Sequence, residues 1–120
     1  MNKPTLVIGA SENTDRYSNK AVNMLRKYNH TTFAYGLKTG NIADVAIQNQ
    51  YFYPEALDTI SLYLNPTNQK AHFEYILKLQ PKRVIFNPGT ENPAFYSLLA
   101  EKGIAYEEAC TLVLLQTGQY

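Results

Sequence analysis

Thr5-Leu6-Val7-Ile8-Gly9, followed by Ala10-Ser11-Glu12-Asn13, is the stretch that decides the fold of this chain. A short apolar run without polar alternation, closed by glycine, is the pattern of a strand buried on both faces, as in a parallel sheet. Beyond it the periodicity turns helical from Ser18, which is placed as an N-cap. Ala21, Val22, Leu25 and Tyr28 share one face, while Lys20, Arg26 and Lys27 are left to water. Thr31 to Tyr35 is rich in β-branched and aromatic residues and ends at Gly36, completing a strand, helix, strand unit.

The same alternation continues down the chain. Lys38 to Ala56 reads as an irregular connection, with Gly40-Asn41 as a turn and with Val45-Ala46-Ile47 and Tyr51-Phe52-Tyr53 separated by amides. Thr59 to Leu64 is the third expected strand. Asn65-Pro66 opens a helix with Phe73, Ile76, Leu77 and Gln80 on one face, and Pro81 stops it. Arg83 to Asn87 is the fourth strand, Asn92-Pro93 begins a helix through Phe95, Leu98 and Leu99, and Gly103 ends it. Ile104 to Tyr106 is a short fifth strand, and a last short helix starts near Cys110. This pattern predicts an α/β fold, a three-layer Rossmann-like doubly wound parallel sheet of about five strands in the order 3-2-1-4-5. It is expected to form one domain over residues 1–120, with its ligand crevice between the first and fourth strands.

Composition narrows the function. Eleven Lys and Arg against ten Asp and Glu leave a formal charge of +1, too little to gather nucleic acid or an acidic membrane by long-range attraction. The single cysteine, Cys110, forms no internal disulfide, and with only His30 and His72 beside it a structural metal site is not expected. A reducing cytoplasm is the expected compartment: Met1-Asn2-Lys3-Pro4 runs into the first strand without an apolar leader, and Leu112 to Leu115 is too short to span a bilayer.

Candidate ligand residues are those that follow strands. The loop from Gly9 to Lys20, with Ala10, Ser11, Asn13, Tyr17 and Ser18, ends at a helix N-terminus whose free N–H groups suit a phosphate; a plain strand-to-helix turn accounts for the same residues. A dinucleotide fingerprint needs two more glycines, where this chain has Ser11 and Thr14, so NAD is disfavoured. Lys38 stands where an acid for a ribose diol is usual. It suits an extra ribose phosphate, the 2′-phosphate of NADP or the 3′-phosphate of coenzyme A, or else it is a solvated surface lysine. Asn65-Pro66 and Asn87-Pro88-Gly89 follow the third and fourth strands and are expected to wall the crevice, with helix-start chemistry as the alternative for Asn-Pro pairs. On this reading Gly9→Val blocks the space of a diphosphate without unfolding the chain.

At these residues the sequence resembles a known family. Val7-Ile8-Gly9-Ala10-Ser11-Glu12-Asn13, then Tyr17-Ser18-Asn19-Lys20-Ala21, Lys38, Leu64-Asn65-Pro66, Pro88-Gly89-Thr90-Glu91-Asn92-Pro93 and Ala109-Cys110-Thr111-Leu112 are similar to the small stand-alone CoA-binding domain proteins. These resemble in turn the N-terminal domain of the succinyl-CoA synthetase α subunit. The resemblance implies a Rossmann-like domain that holds the CoA diphosphate on the loop from Gly9 to Lys20, with Lys38 at the ribose phosphate. Leu64 to Thr67 and the segment around Gly89 would face the adenine and the pantetheine arm. Where the family usually has a proline after the second strand, this chain has Tyr35-Gly36-Leu37-Lys38. The ligase relatives use a phosphorylated histidine from a second domain, so no ligase activity is expected here. The implied function is binding of CoA or an acyl-CoA by a non-catalytic or partner-dependent module. The alternatives are an NADP-type redox sensor or oxidoreductase, and a protein-interaction subunit without a ligand.

The remaining chemistry-bearing residues have plain structural readings. His30 and His72 are expected to be structural or surface residues. Cys110 lies in an apolar setting that favours an inert thiol over disulfide exchange with CoA. Glu107 and Glu108 make a solvated edge. Tyr28, Phe33, Phe73, Phe86 and Phe95 fall at core-facing positions, whereas Tyr51-Phe52-Tyr53 is left as a partner or homodimer surface or a cover for the sheet edge.

Overall fold

The computed structural model describes residues Met1–Tyr120. Seven strands form one sheet: β1 (Thr5–Ile8), β2 (Thr32–Tyr35), β3 (Gly40–Ile42), β4 (Val45–Gln48), β5 (Thr59–Leu62), β6 (Arg83–Phe86) and β7 (Ala105–Glu108). The helices are α1 (Tyr17–Lys27), α2 (Pro66–Gln69), α3 (Phe73–Leu79), α4 (Pro93–Glu101) and α5 (Thr111–Gln116), with a 3-10 turn at Lys70–His72 joining α2 to α3. No helix is long and apolar enough to cross a membrane.

All four residues of β1 are buried because both faces of the sheet are covered. Leu6 and Ile8 pack with Ile60, Leu62, Val84 and Phe86 against Tyr75 and Ile76 of α3 and Phe95 and Leu99 of α4. Val7 points the other way, into Val22 and Leu25 of α1 and Leu115 of α5. Tyr28, expected in this core, caps the C-terminal end of α1 and is exposed. Ser18 is not the N-cap of α1: Arg16 occupies that position, and Ser18 is buried within the first turn.

The strand order is β3-β4-β2-β1-β5-β6-β7, parallel throughout except for the antiparallel β3–β4 pair. This corrects the expected sheet of about five strands in the order 3-2-1-4-5. The expected irregular connection contains a hairpin, and β4 takes the place beside β2 that the third expected strand was to fill. That strand, β5, therefore pairs with the other edge of β1. The turn of this hairpin, Ala43-Asp44, lacks the glycine that marks such turns in a sequence. Ala43 itself holds a positive φ of 52°, and Arg26 of α1 secures Asp44 with Nε–Oδ1 and Nη2–Oδ2 contacts of 2.9 and 3.0 Å. Val45 and Ile47 are buried while Ala46 and Gln48 are exposed, the alternation of a half-covered strand.

Candidate functional site

The chain leaves β1 toward β2 and β4 on one side and crosses back from β4 to β5 on the other side of β1, so the topological switch lies between β1 and β5 and not between β1 and β6. A cavity of about 500 Å³ opens there, over the carboxyl ends of β1, β2 and β5. Its walls come from four places: Gly9, Ala10, Ser11, Glu12 and Arg16 after β1; Tyr35, Gly36, Leu37, Lys38 and Thr39 at the end of β2; Tyr63, Leu64 and Asn65 after β5; and Asn68 and His72 from α2 and the 3-10 turn.

The first loop is fixed largely by its own backbone. Gly9 and Ala10 both donate N–H bonds to the Tyr35 carbonyl, at 2.9 and 3.0 Å, so these two donors are not free for a ligand. Gly9 has φ +94°, and a Cβ there would lie 3.1 Å from the backbone of Tyr63. The glycine thus permits close approach of the β1 and β5 exits, and the expected Gly9→Val effect is corrected: valine there strains the fold first. Gly36 is more tightly confined, since a Cβ would fall on the Ala10 carbonyl oxygen. Asn13 shapes the loop by accepting from Asp15 N–H at 2.9 Å, and Lys20 Nζ donates to Thr14 O at 3.2 Å. Past that turn α1 begins with no side-chain cap and no acid in its first turn. The N–H groups of Ser11, Glu12, Tyr17 and Ser18 have no acceptor within the protein.

The charges on the cavity wall are unequal. Glu12 is committed, its Oε2 accepting from Asn41 N–H at 2.9 Å. Arg16 and Lys38 make no salt bridge; the two pairs in the protein are Arg26–Asp44 and Arg83–Glu107. Two unpaired cations beside an uncapped helix start favour an anionic ligand. At the β2 side, Tyr35, Tyr51, Tyr75 and His72 form an aromatic cluster: Tyr51 stacks on Tyr75 at 4.0 Å, and the His72 ring meets Tyr35 edge-on at 5.4 Å. The Tyr51 hydroxyl lies 2.7 Å from His72 Nδ1. Burial holds the His72 imidazole below its ordinary value. Tyr63 is pushed up to about 12, chiefly by burial, and its buried hydroxyl lacks a hydrogen-bond partner.

Of the sequence candidates, Gly9, Ala10, Ser11, Lys38, Leu64 and Asn65 meet at this cavity. Asn13, Tyr17, Ser18, Lys20 and Pro66 do not line it. Asn87, Pro88 and Gly89 lie one strand further on, after β6, and do not line it. Asn87 belongs to the frame: its Nδ2 donates to Ser61 Oγ and Leu62 O at 3.0 Å each, and its Oδ1 accepts from Thr111 N–H at 2.8 Å. Asn65 uses its side chain to cap α2, accepting from Asn68 N–H at 2.8 Å. Arg16, Tyr35 and His72 also line the cavity, although sequence reasoning did not select them. Arg16 and Tyr35 were legible as the residue before a helix and the last residue of a strand. His72 was not, because only the break between α2 and α3 turns it inward.

The chain matches the family described as CoA binding domain over residues 3–116. Among solved structures, a crystal structure of an uncharacterized protein is similar at 42% identity and a TM-score of 0.97, covering 100% of this chain and 99% of that one. A Thermus thermophilus protein shares the fold at 19% identity and a TM-score of 0.88, covering 99% of this chain and 91% of that one. Aspartate dehydrogenase from Thermotoga maritima shares it at 17% identity and a TM-score of 0.61, covering 89% of this chain but 45% of the dehydrogenase. No curated protein matches the chain. With its Rossmann-like sheet and a family match spanning nearly its whole length, the chain belongs to the CoA-binding domain family.

Proposed function

We propose that this protein binds coenzyme A or an acyl-CoA in the cavity between the β1 and β5 exits, as a non-catalytic or partner-dependent module. The observation that carries this reading is the convergence on one cavity of unpaired Arg16 and Lys38 with the uncapped N-terminus of α1. In this arrangement the free N–H groups of Ser11 and Glu12 on the cavity wall, with Arg16 at the start of α1, take the diphosphate. Lys38, following β2, takes the ribose phosphate, and Leu64 and Asn65 form the opposite wall. Family membership supports coenzyme A over other nucleotides. NADP is the second reading, because Lys38 suits a phosphate on either ribose position.

Titration calorimetry with CoA, 3′-dephospho-CoA, NADP and NAD in one buffer tests the assignment. CoA is expected to bind at least tenfold tighter than its dephospho form. Preference for NADP over CoA selects the second reading, and binding of none of the four overturns both.

A further inference from the structure

The proposed nucleotide reading leaves one cavity residue without a role, His72. Its Nδ1 is held by the Tyr51 hydroxyl at 2.7 Å, and the same hydroxyl lies 3.3 Å from the Ala71 carbonyl oxygen. Nε2, by contrast, has no partner in the protein, although the residue lines the cavity. Tyr51 can therefore serve two protonation states of the imidazole. With a neutral ring, its O–H donates to Nδ1 and fixes the proton on Nε2. With a protonated ring, Nδ1–H donates to the Tyr51 oxygen, and the hydroxyl proton turns to Ala71 O. The groups facing the ring are uncharged: Tyr35 from β2 at 5.4 Å and Tyr51 at 5.8 Å between ring centres, with Tyr75 of α3 stacked behind Tyr51. The charged side chains on the same cavity are Lys38, Arg16 and Glu12, and Glu12 is bound to Asn41 N–H.

Resting on that nucleotide reading, we propose that His72 is a specificity-determining residue that reads the ribose phosphomonoester of the ligand through Nε2–H, opposite Lys38, and takes up a proton from solvent when this group binds. Placement at the β2 exit carries the assignment to the ribose end of the ligand: Tyr35, the last residue of β2, touches the His72 ring, and Lys38 follows three residues later. In α/β sheets of this type the ribose lies against that exit. A phosphomonoester dianion favours the imidazolium, and the Tyr51–Ala71 pair gives the extra Nδ1–H an acceptor without moving the ring. The shared chemistry covers the 3′-phosphate of CoA and the 2′-phosphate of NADP.

The test combines calorimetry of the whole chain at pH 7.5, in two buffers of different ionisation enthalpy, with NMR of the histidine ring nitrogens. Wild-type protein is expected to take up a substantial fraction of a proton with CoA, or with NADP if that is the preferred ligand, and none with the dephosphorylated counterpart. His72→Gln is expected to remove the uptake and weaken binding of the phosphorylated ligand about tenfold, leaving the dephosphorylated one unchanged. In the free protein the His72 signals should show a proton on Nε2 only. They should move toward the imidazolium on binding, while His30, at the far end of the sheet, stays fixed. Uptake that persists in His72→Gln, or with dephospho-CoA, overturns the role of His72 even when CoA binds. A wild-type protein that binds no nucleotide overturns the ligand reading, and this proposal with it.

Discussion

The two ends of the parallel sheet are built from the same strands and treat their polar groups in opposite ways. At the amino end, Tyr120 seals the molecule. Its hydroxyl lies 2.6 Å from Thr5 Oγ1, its carbonyl accepts from Lys3 Nζ at 2.7 Å and Arg83 Nη2 at 2.8 Å, and its ring lies 5.0 Å from that of His30. His30 Nδ1 in turn accepts from Lys3 N–H at 2.9 Å. At the carboxyl end a cavity stays open, with an uncapped helix start and two cations lacking partners. Matched groups add to stability, whereas unmatched ones near water cost little and remain ready for a ligand. The difference teaches where mutations should act on folding and where on binding.

The sharpest way to break this division is at Asn87, which lies at the carboxyl end yet belongs to the frame. Asn87→Ala leaves the Thr111 N–H and the Leu62 carbonyl without their side-chain partner in a buried setting, and it should lower unfolding free energy by about 4 kcal/mol at about 2 kcal/mol per orphaned group. Urea titration checks this, and a variant as stable as wild type would return Asn87 to the list of ligand residues. Lys38→Ala should do the reverse. Affinity for CoA is expected to fall by about 1 to 3 kcal/mol, the range of a hydrogen bond to a charged group, with stability changed by less than about 0.5 kcal/mol. A loss of stability without loss of affinity in calorimetry would place Lys38 outside the site.

The smallest effect is expected from pH at the sealed end. Burial, followed by the positive amino terminus, Lys3 and Arg83, holds the His30 imidazole below its ordinary value. As pH falls below about 6.5, the unfolded chain takes up a proton that the folded His30 resists, so the stability present above that pH is lost toward acid. His72, lowered by burial, adds in the same direction. The melting temperature should decline from pH 7 to pH 5, with a shallower slope in His30→Gln. A melting temperature that rises over that range would reverse the sign assigned to these histidines.

Much of this architecture was legible from local pattern. Continuous apolar runs marked β1, β5 and β6, and Asn65-Pro66 and Asn92-Pro93 marked the starts of α2 and α4, because burial on two faces and helix-start geometry act through neighbouring residues. The hairpin was not legible, since its turn sets Ala43, not a glycine, at a positive φ, and its contact with Arg26 of α1 is tertiary. From that hairpin followed the error in strand order, and from the order followed the misplaced crevice and the assignment of Asn87 to its wall.

The sequence by itself determined the layers, most of the elements that pack them, and a loop, a lysine and Asn65 that meet at one opening. These depend on spacing along the chain. Tertiary structure alone decided which strand lies beside which, and hence that His72 joins the cavity while Asn87 leaves it. Neighbour choice in a sheet is settled by competition for the free edge of a strand, and the free edge of β2 went to β4, a strand that short-range pattern did not reveal.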